Sequence, residues 1–95
     1  MDMVLGLAQA GGRPPPFATT LRRAAGTLRE AILNQELTSM LIAAQRLYVL
    51  ARAHHHGPMA WHAAAFAALC SEQPDDTTRM SELMAGIELT LEETR

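Results

Sequence analysis

Histidine and cysteine are the side chains in this sequence whose types and clustering could do chemistry. His54, His55 and His56 are consecutive, His62 follows six residues later, and Cys70 is the single cysteine of the 95-residue chain. The chemistry in question would be metal binding or thiol catalysis. On a helix, neighbouring residues diverge by about 100°, so at most two of the three adjacent imidazoles can aim at one point, and no His pair has the i, i+4 spacing. Cys70 and His62 are eight apart and nearly on one helical face, but no second cysteine or nearby carboxylate completes a ligand set. Nucleophilic catalysis needs a thiol held beside a base, a third group to orient the base, and oxyanion donors. This pair is too bare for that, and the chain holds no phosphate-cradling Gly motif, HExxH pattern or calcium loop. The sequence assigns no catalytic residue, no metal ligand and no cofactor, and the chain reads as a non-enzyme.

Structural roles account for the same residues. The histidine run fits the last turn of a helix, where imidazoles meet the negative end of the helix dipole and the exposed carbonyls. His62 falls between Leu69 and Phe66 in angle, which predicts a partly buried, hydrogen-bonded core histidine. Cys70 on an Ala-rich segment reads as a small buried hydrophobe. A lone cysteine also excludes an intrachain disulfide framework and fits a reducing cytoplasm.

The elements that must position these residues are helices. Nearly half of the chain is apolar, yet its only aromatic residues are Phe17, Tyr48, Trp61 and Phe66, so the core is left to Leu, Met, Ile and Ala, which favour helix. Residues 1–16 end in Gly11-Gly12-Arg13-Pro14-Pro15-Pro16, a flexible step and a polyproline spacer, and read as an N-terminal arm. Asp2 stands where a signal peptide would carry positive charge, and no apolar run approaches the roughly 18 residues of a membrane span. Residues 17–95 form one helical domain.

From Phe17 to Ala53 the apolar face inverts. Phe17, Leu21, Ala24, Ala25, Leu28 and Ile32 share one side, opposite Arg22, Arg23, Arg29 and Glu30. From Leu33 onward Leu33, Leu37, Met40, Leu41, Ala44, Leu47, Tyr48 and Ala51 define a face almost opposite the first. Two helices joined near Asn34-Gln35, with Asn34 capping the second, satisfy this pattern. So does one helix of about 35 residues that shows its two faces to different neighbours, and the lack of Gly or Pro favours it. His54 to Pro58 is a stop signal, with Gly57 expected in the left-handed cap and Pro58 opening the next helix. That helix, about Pro58 to Ser71, is apolar nearly all round, which places it centrally in the domain or between chains. Asp76 or Thr77 starts the last helix, whose stripe is Met80, Leu83, Met84, Ile87 and Leu91. The expected fold is an all-α bundle of three to four helices, one of them long in the second alternative, associating as a homodimer.

Charge and exposed apolar surface carry the functional expectation. Residues 1–71 hold six Arg against three acids and residues 72–95 seven acids against two Arg, giving +3 and −5. Charges of opposite sign on this scale place the acidic segment near the Arg-bearing helices of the same chain or of a partner chain. The absence of Lys associates with GC-rich coding and hence with a bacterial or phage source. Ile42 and Val49, seven apart, sit in the middle of the otherwise polar stripe of Thr38, Ser39, Gln45, Arg46 and Arg52, and Leu89 lies opposite the stripe of its own helix. Such placement predicts an interface with another protein, anchored by Ile42, Val49, Leu50, Tyr48 and Trp61 with Arg46 beside them. The function expected is sequestration or adaptation of a partner, for example a transcription regulator, by an antiactivator, inhibitor or chaperone mechanism. A second alternative is a DNA-associated regulator using Arg22, Arg23 and Arg29, although a basic nucleic-acid footprint is absent. The third is a metal- or thiol-dependent activity centred on His54 to His62 and Cys70.

Overall fold

The computed structural model describes the backbone of residues 16–94 and the side chains of residues 19–93. The expected N-terminal arm, apart from Pro16, and the side chain of Phe17 lie outside the described residues. The described chain is four helices: α1 (Pro16–Leu33), α2 (Leu37–Ala53), α3 (Gly57–Glu72) and α4 (Thr77–Thr94). Each helix packs against its neighbours in sequence, α1 and α4 close the ring, and the two diagonal pairs make no close backbone approach.

The inversion of the apolar face is resolved by a break, so the single long helix is corrected to two. At the end of α1 the N–H of Gln35 donates to the Ile32 carbonyl at 3.1 Å and that of Glu36 to the Ala31 carbonyl at 3.1 Å. This is the Schellman pattern, and it requires a left-handed residue just past the helix. Gln35 takes that conformation, with φ of 56°, whereas Asn34 stays in the helical bonding pattern through its N–H to Glu30 O at 2.9 Å. Asn34 is therefore not the cap of α2. Glu36 holds that position and its side chain makes no bond to the helix backbone. A left-handed side-chain-bearing residue costs about 1–2 kcal/mol. Met40 and Leu47, both buried by the reversal, are worth roughly 1.5–3 kcal/mol each. Burial outweighs the strain, and the chain turns.

The same turn ends α2. His55 N–H donates to Arg52 O at 3.1 Å, His56 N–H to Ala51 O at 2.8 Å, and His55 is left-handed with φ of 58°. The stop expected at His54 to Pro58 is present, but its left-handed residue is His55, and Gly57 is already the first residue of α3. The reason is register. The turn closes on the carbonyl of Ala51, which fixes the left-handed site four residues later and two before Gly57. His56 then caps α3, its Nδ1 accepting the N–H of Met59 at 3.3 Å. Asp76 caps α4 by accepting from the Arg79 N–H at 3.0 Å.

The core draws on all four helices. Leu21, Leu28, Leu47, Met59, Phe66 and Ile87 are its largest fully buried side chains, and Ala24, Ala25, Ala31, Ala43, Ala44, Ala51, Ala60 and Ala63 let the backbones approach between them. The buried hydroxyl of Thr90 donates to the Gly86 carbonyl at 2.8 Å, so it carries no unmet bond. Leu33, expected inside, is 74% exposed because it is the last residue of α1 and points away from the face that α1 buries.

Replacing either left-handed residue by glycine should relieve strain without touching a core contact. Gln35→Gly and His55→Gly are each expected to raise the urea midpoint by the equivalent of roughly 0.5–1 kcal/mol at unchanged m-value, and to add in the double variant. Destabilisation by both would contradict the turn geometry.

Candidate functional site

The residues that could have done chemistry are held apart. His54 and His55 are exposed at the α2–α3 turn, while His56 is committed to capping α3. Cys70 is buried, and that burial pushes its thiol above the ordinary value of 9.0. It is eight residues from His62, about 12 Å along the helix axis. Among the described residues no three His, Cys, Asp or Glu side chains converge on a point that could hold a metal ion.

His62 is partly buried as expected, but it lacks the expected hydrogen bond. Its ring lies where Gly86 of α4 has no side chain: a Cβ added there would fall 2.7 Å from its Cε1. The Trp61 ring meets it edge-on with centroids 5.1 Å apart. Neither neighbour donates to the buried Nδ1, which has no hydrogen-bond partner among the described residues. His62 thus works as a shape-matched spacer between α3 and α4.

The α2 helix buries Met40, Ala43, Ala44, Leu47 and Ala51, and the opposite face is turned outward. On it Ile42 is 50% and Val49 62% exposed, seven residues and about 10 Å apart along one ridge. Arg46 is exposed on one flank of the ridge and Arg52 on the other, and α2 contains no acidic residue. The Arg52 guanidinium donates to the Tyr48 hydroxyl at 2.8 Å and lies 5.7 Å from the centre of its ring. Tyr48 and Leu50 are half-buried and pack against the core, so they flank the ridge rather than crown it. Trp61 is exposed, but on α3. Exposed Ile42, Val49 and Arg46 therefore share one helix face, and Trp61 presents a separate surface.

Electrostatics follow the helix order. Arg29 of α1 donates to the Glu88 carboxylate of α4, an ion pair within the chain, and Arg22 and Glu92 line the same groove between these helices. That mixture of signs gives α1 a poor surface for phosphates. Sequence reasoning missed a second apolar feature, a groove at the end of the bundle lined by Ile32, Leu37, Met40, Pro74 and Met80. Its walls come from four segments, so no single periodicity signals it.

No helix among the described residues is long and apolar enough to cross a membrane. Comparison with protein-family models, curated proteins and solved structures gives no match, so the residues themselves carry the functional argument.

Two glycines separate the effect of space from that of helix propensity. Gly26→Ala of α1, where an added Cβ meets nothing within 4 Å, is expected to stabilise by about 1 kcal/mol in thermal or urea unfolding. Gly86→Ala is expected to destabilise despite the same propensity gain, with part of the loss recovered by His62→Ala. For Cys70, a folded-state value raised above 9.0 means stabilisation that is complete below the unfolded value and fades as pH rises through the folded one. The stability of wild type relative to Cys70→Ala should accordingly fall as pH is raised past about 9, measured by urea unfolding.

Proposed function

We propose that this chain is a regulatory protein-binding module whose outer α2 ridge covers a functional surface of a partner protein. The reading is carried by one observation: Ile42 and Val49 stand exposed on the face of α2 opposite its core residues, where none of the described residues covers them. Scattered exposed apolar residues are ordinary, but two stacked along a ridge between arginines form a surface that an amphipathic helix fits. Binding stabilises the covered form of the partner by mass action, and this is the mechanism of an antiactivator, an inhibitor or a chaperone. The partner is another protein, for example a transcription regulator, and the setting is a bacterial cytoplasm. Self-association as a homodimer belongs to the same reading, since a core this rich in alanine leaves little stability in reserve.

Ile42→Asp and Val49→Asp test the proposal. Each is expected to abolish capture of a specific partner from lysate, or weaken its binding by at least roughly thirty-fold, while leaving far-UV helicity unchanged. Variants that retain the partner at full affinity would overturn it. Variants that simply unfold would show that the ridge belongs to the core.

A further inference from the structure

The outer face of α4 is the counterpart of the outer face of α2. Leu89 is 59% exposed, Ala85 is exposed one turn before it, and the acids Glu82, Glu92 and Glu93 are exposed around them. On a 100° wheel Glu93 falls to one side of Leu89 and Glu92 to the other, where Glu92 also borders the groove that Arg22 and Arg29 line. Arg46 and Arg52 flank the Ile42–Val49 ridge in the same way. One helix thus presents apolar side chains between two cations, and the other an apolar side chain between two anions. We propose that the partner of the α2 face in self-association is the α4 face of a second copy of this chain, Leu89 seating between Ile42 and Val49 with the arginines against the glutamates.

The two faces cannot meet within one molecule. α2 and α4 are diagonal in the four-helix ring and make no close approach, so their outer faces point away from each other. Pairing α2 of one copy with α4 of the next is therefore head-to-tail, and it leaves an unused face at each end of a dimer. The homodimer is then the first step of association, which extends past two copies as concentration rises unless the rotation closes a ring. A single helix-on-helix contact of this kind is smaller than the roughly 1,000 Å² of a firm interface, so the assembly is weak. Its charges are exposed, so it is sensitive to salt. A copy seated on α2 also competes with any other protein that binds there.

This inference rests on the reading of α2 as a docking face, and the test separates the two. Sedimentation velocity on a concentration series of the purified full chain is expected to show mass growing beyond a dimer or to a closed ring at about 0.01 M salt and falling toward the monomer near 1 M, as the screening length drops from roughly 30 to 3 Å. Arg46→Glu alone and Glu93→Arg alone should each weaken association about five-fold, and an equimolar mixture of the two variants should form a hetero-pair that recovers it. Circular dichroism checks that both remain folded. A monomer at every concentration, a salt-independent dimer, or charge variants that associate like wild type without mixed-pair recovery would each overturn the pairing. In the last case, Ile42→Asp decides whether α2 survives as a docking face: loss of association retains it, whereas unchanged association removes that reading as well.

Discussion

Two backbone turns, twenty residues apart, set the geometry on which everything else in this fold depends. In each, an alanine carbonyl, Ala31 or Ala51, accepts an N–H from five residues on, and the residue between, Gln35 or His55, is forced into the left-handed region. Glutamine does not favour that conformation, and histidine adopts it more readily than most side-chain-bearing residues but far less readily than glycine. The turns persist because the helices they separate each have an apolar stripe to bury, and only a reversal at these points brings the stripes to one core. Local strain of about 1–2 kcal/mol per turn is held in place by the burial of several side chains. The three-residue links that result leave the helices no freedom to rotate independently, so the face each buries also fixes the face it shows to solvent.

That coupling runs from core to surface. The core is largely alanine with a few large residues, among them Leu47, Phe66 and Ile87, which permits close helix approach but buries modest area per residue. A slot as narrow as the one at Gly86 then has to be filled by a flat ring, and His62 fills it, at the expense of an unpaired ring nitrogen, Nδ1. An unpaired polar nitrogen of this kind is the sort of local compromise that small domains tolerate where packing is tight. His56, His62 and Cys70 are each committed to their own place on the scaffold, His56 as a cap, His62 against Gly86 and Cys70 in the core.

The outward faces carry what the core does not use. Arg29 of α1 is tied to Glu88 of α4 by a direct ion pair, and that pairing closes the ring on the side where α1 and α4 meet. The outer faces of α2 and α4 are left with unlike charge around exposed apolar side chains, pointing in opposite directions. Nonpolar contact and the flanking charges share the attraction in such an arrangement, and the charges also select orientation and partner. Exposed ion pairs alone would be too weak to hold it.

Much of this was legible in the residues, because a helix translates sequence spacing directly into angle. Periodicity located the apolar stripes of α1, α2 and α4 and the outward placement of Ile42, Val49 and Leu89, while cap and breaker residues located the stop after Ala53 and a start at Asp76 or Thr77, of which the structure takes Asp76. It could not choose between a long helix and a broken one, since the competing energies, strain at Gln35 against burial of Met40 and Leu47, belong to different parts of the chain. Nor could it place the left-handed residue at His55 rather than Gly57, seat His62 on Gly86, single out Glu88 as the partner of Arg29, or show that Leu33 ends up in solvent. Each of those outcomes depends on atoms brought together from distant positions. The sequence by itself determined which face of α1, α2 and α4 is apolar, a property of neighbours three and four residues apart. The tertiary structure alone decided where the helices end and which side chains meet across them, because those are set by the packing of all four helices at once.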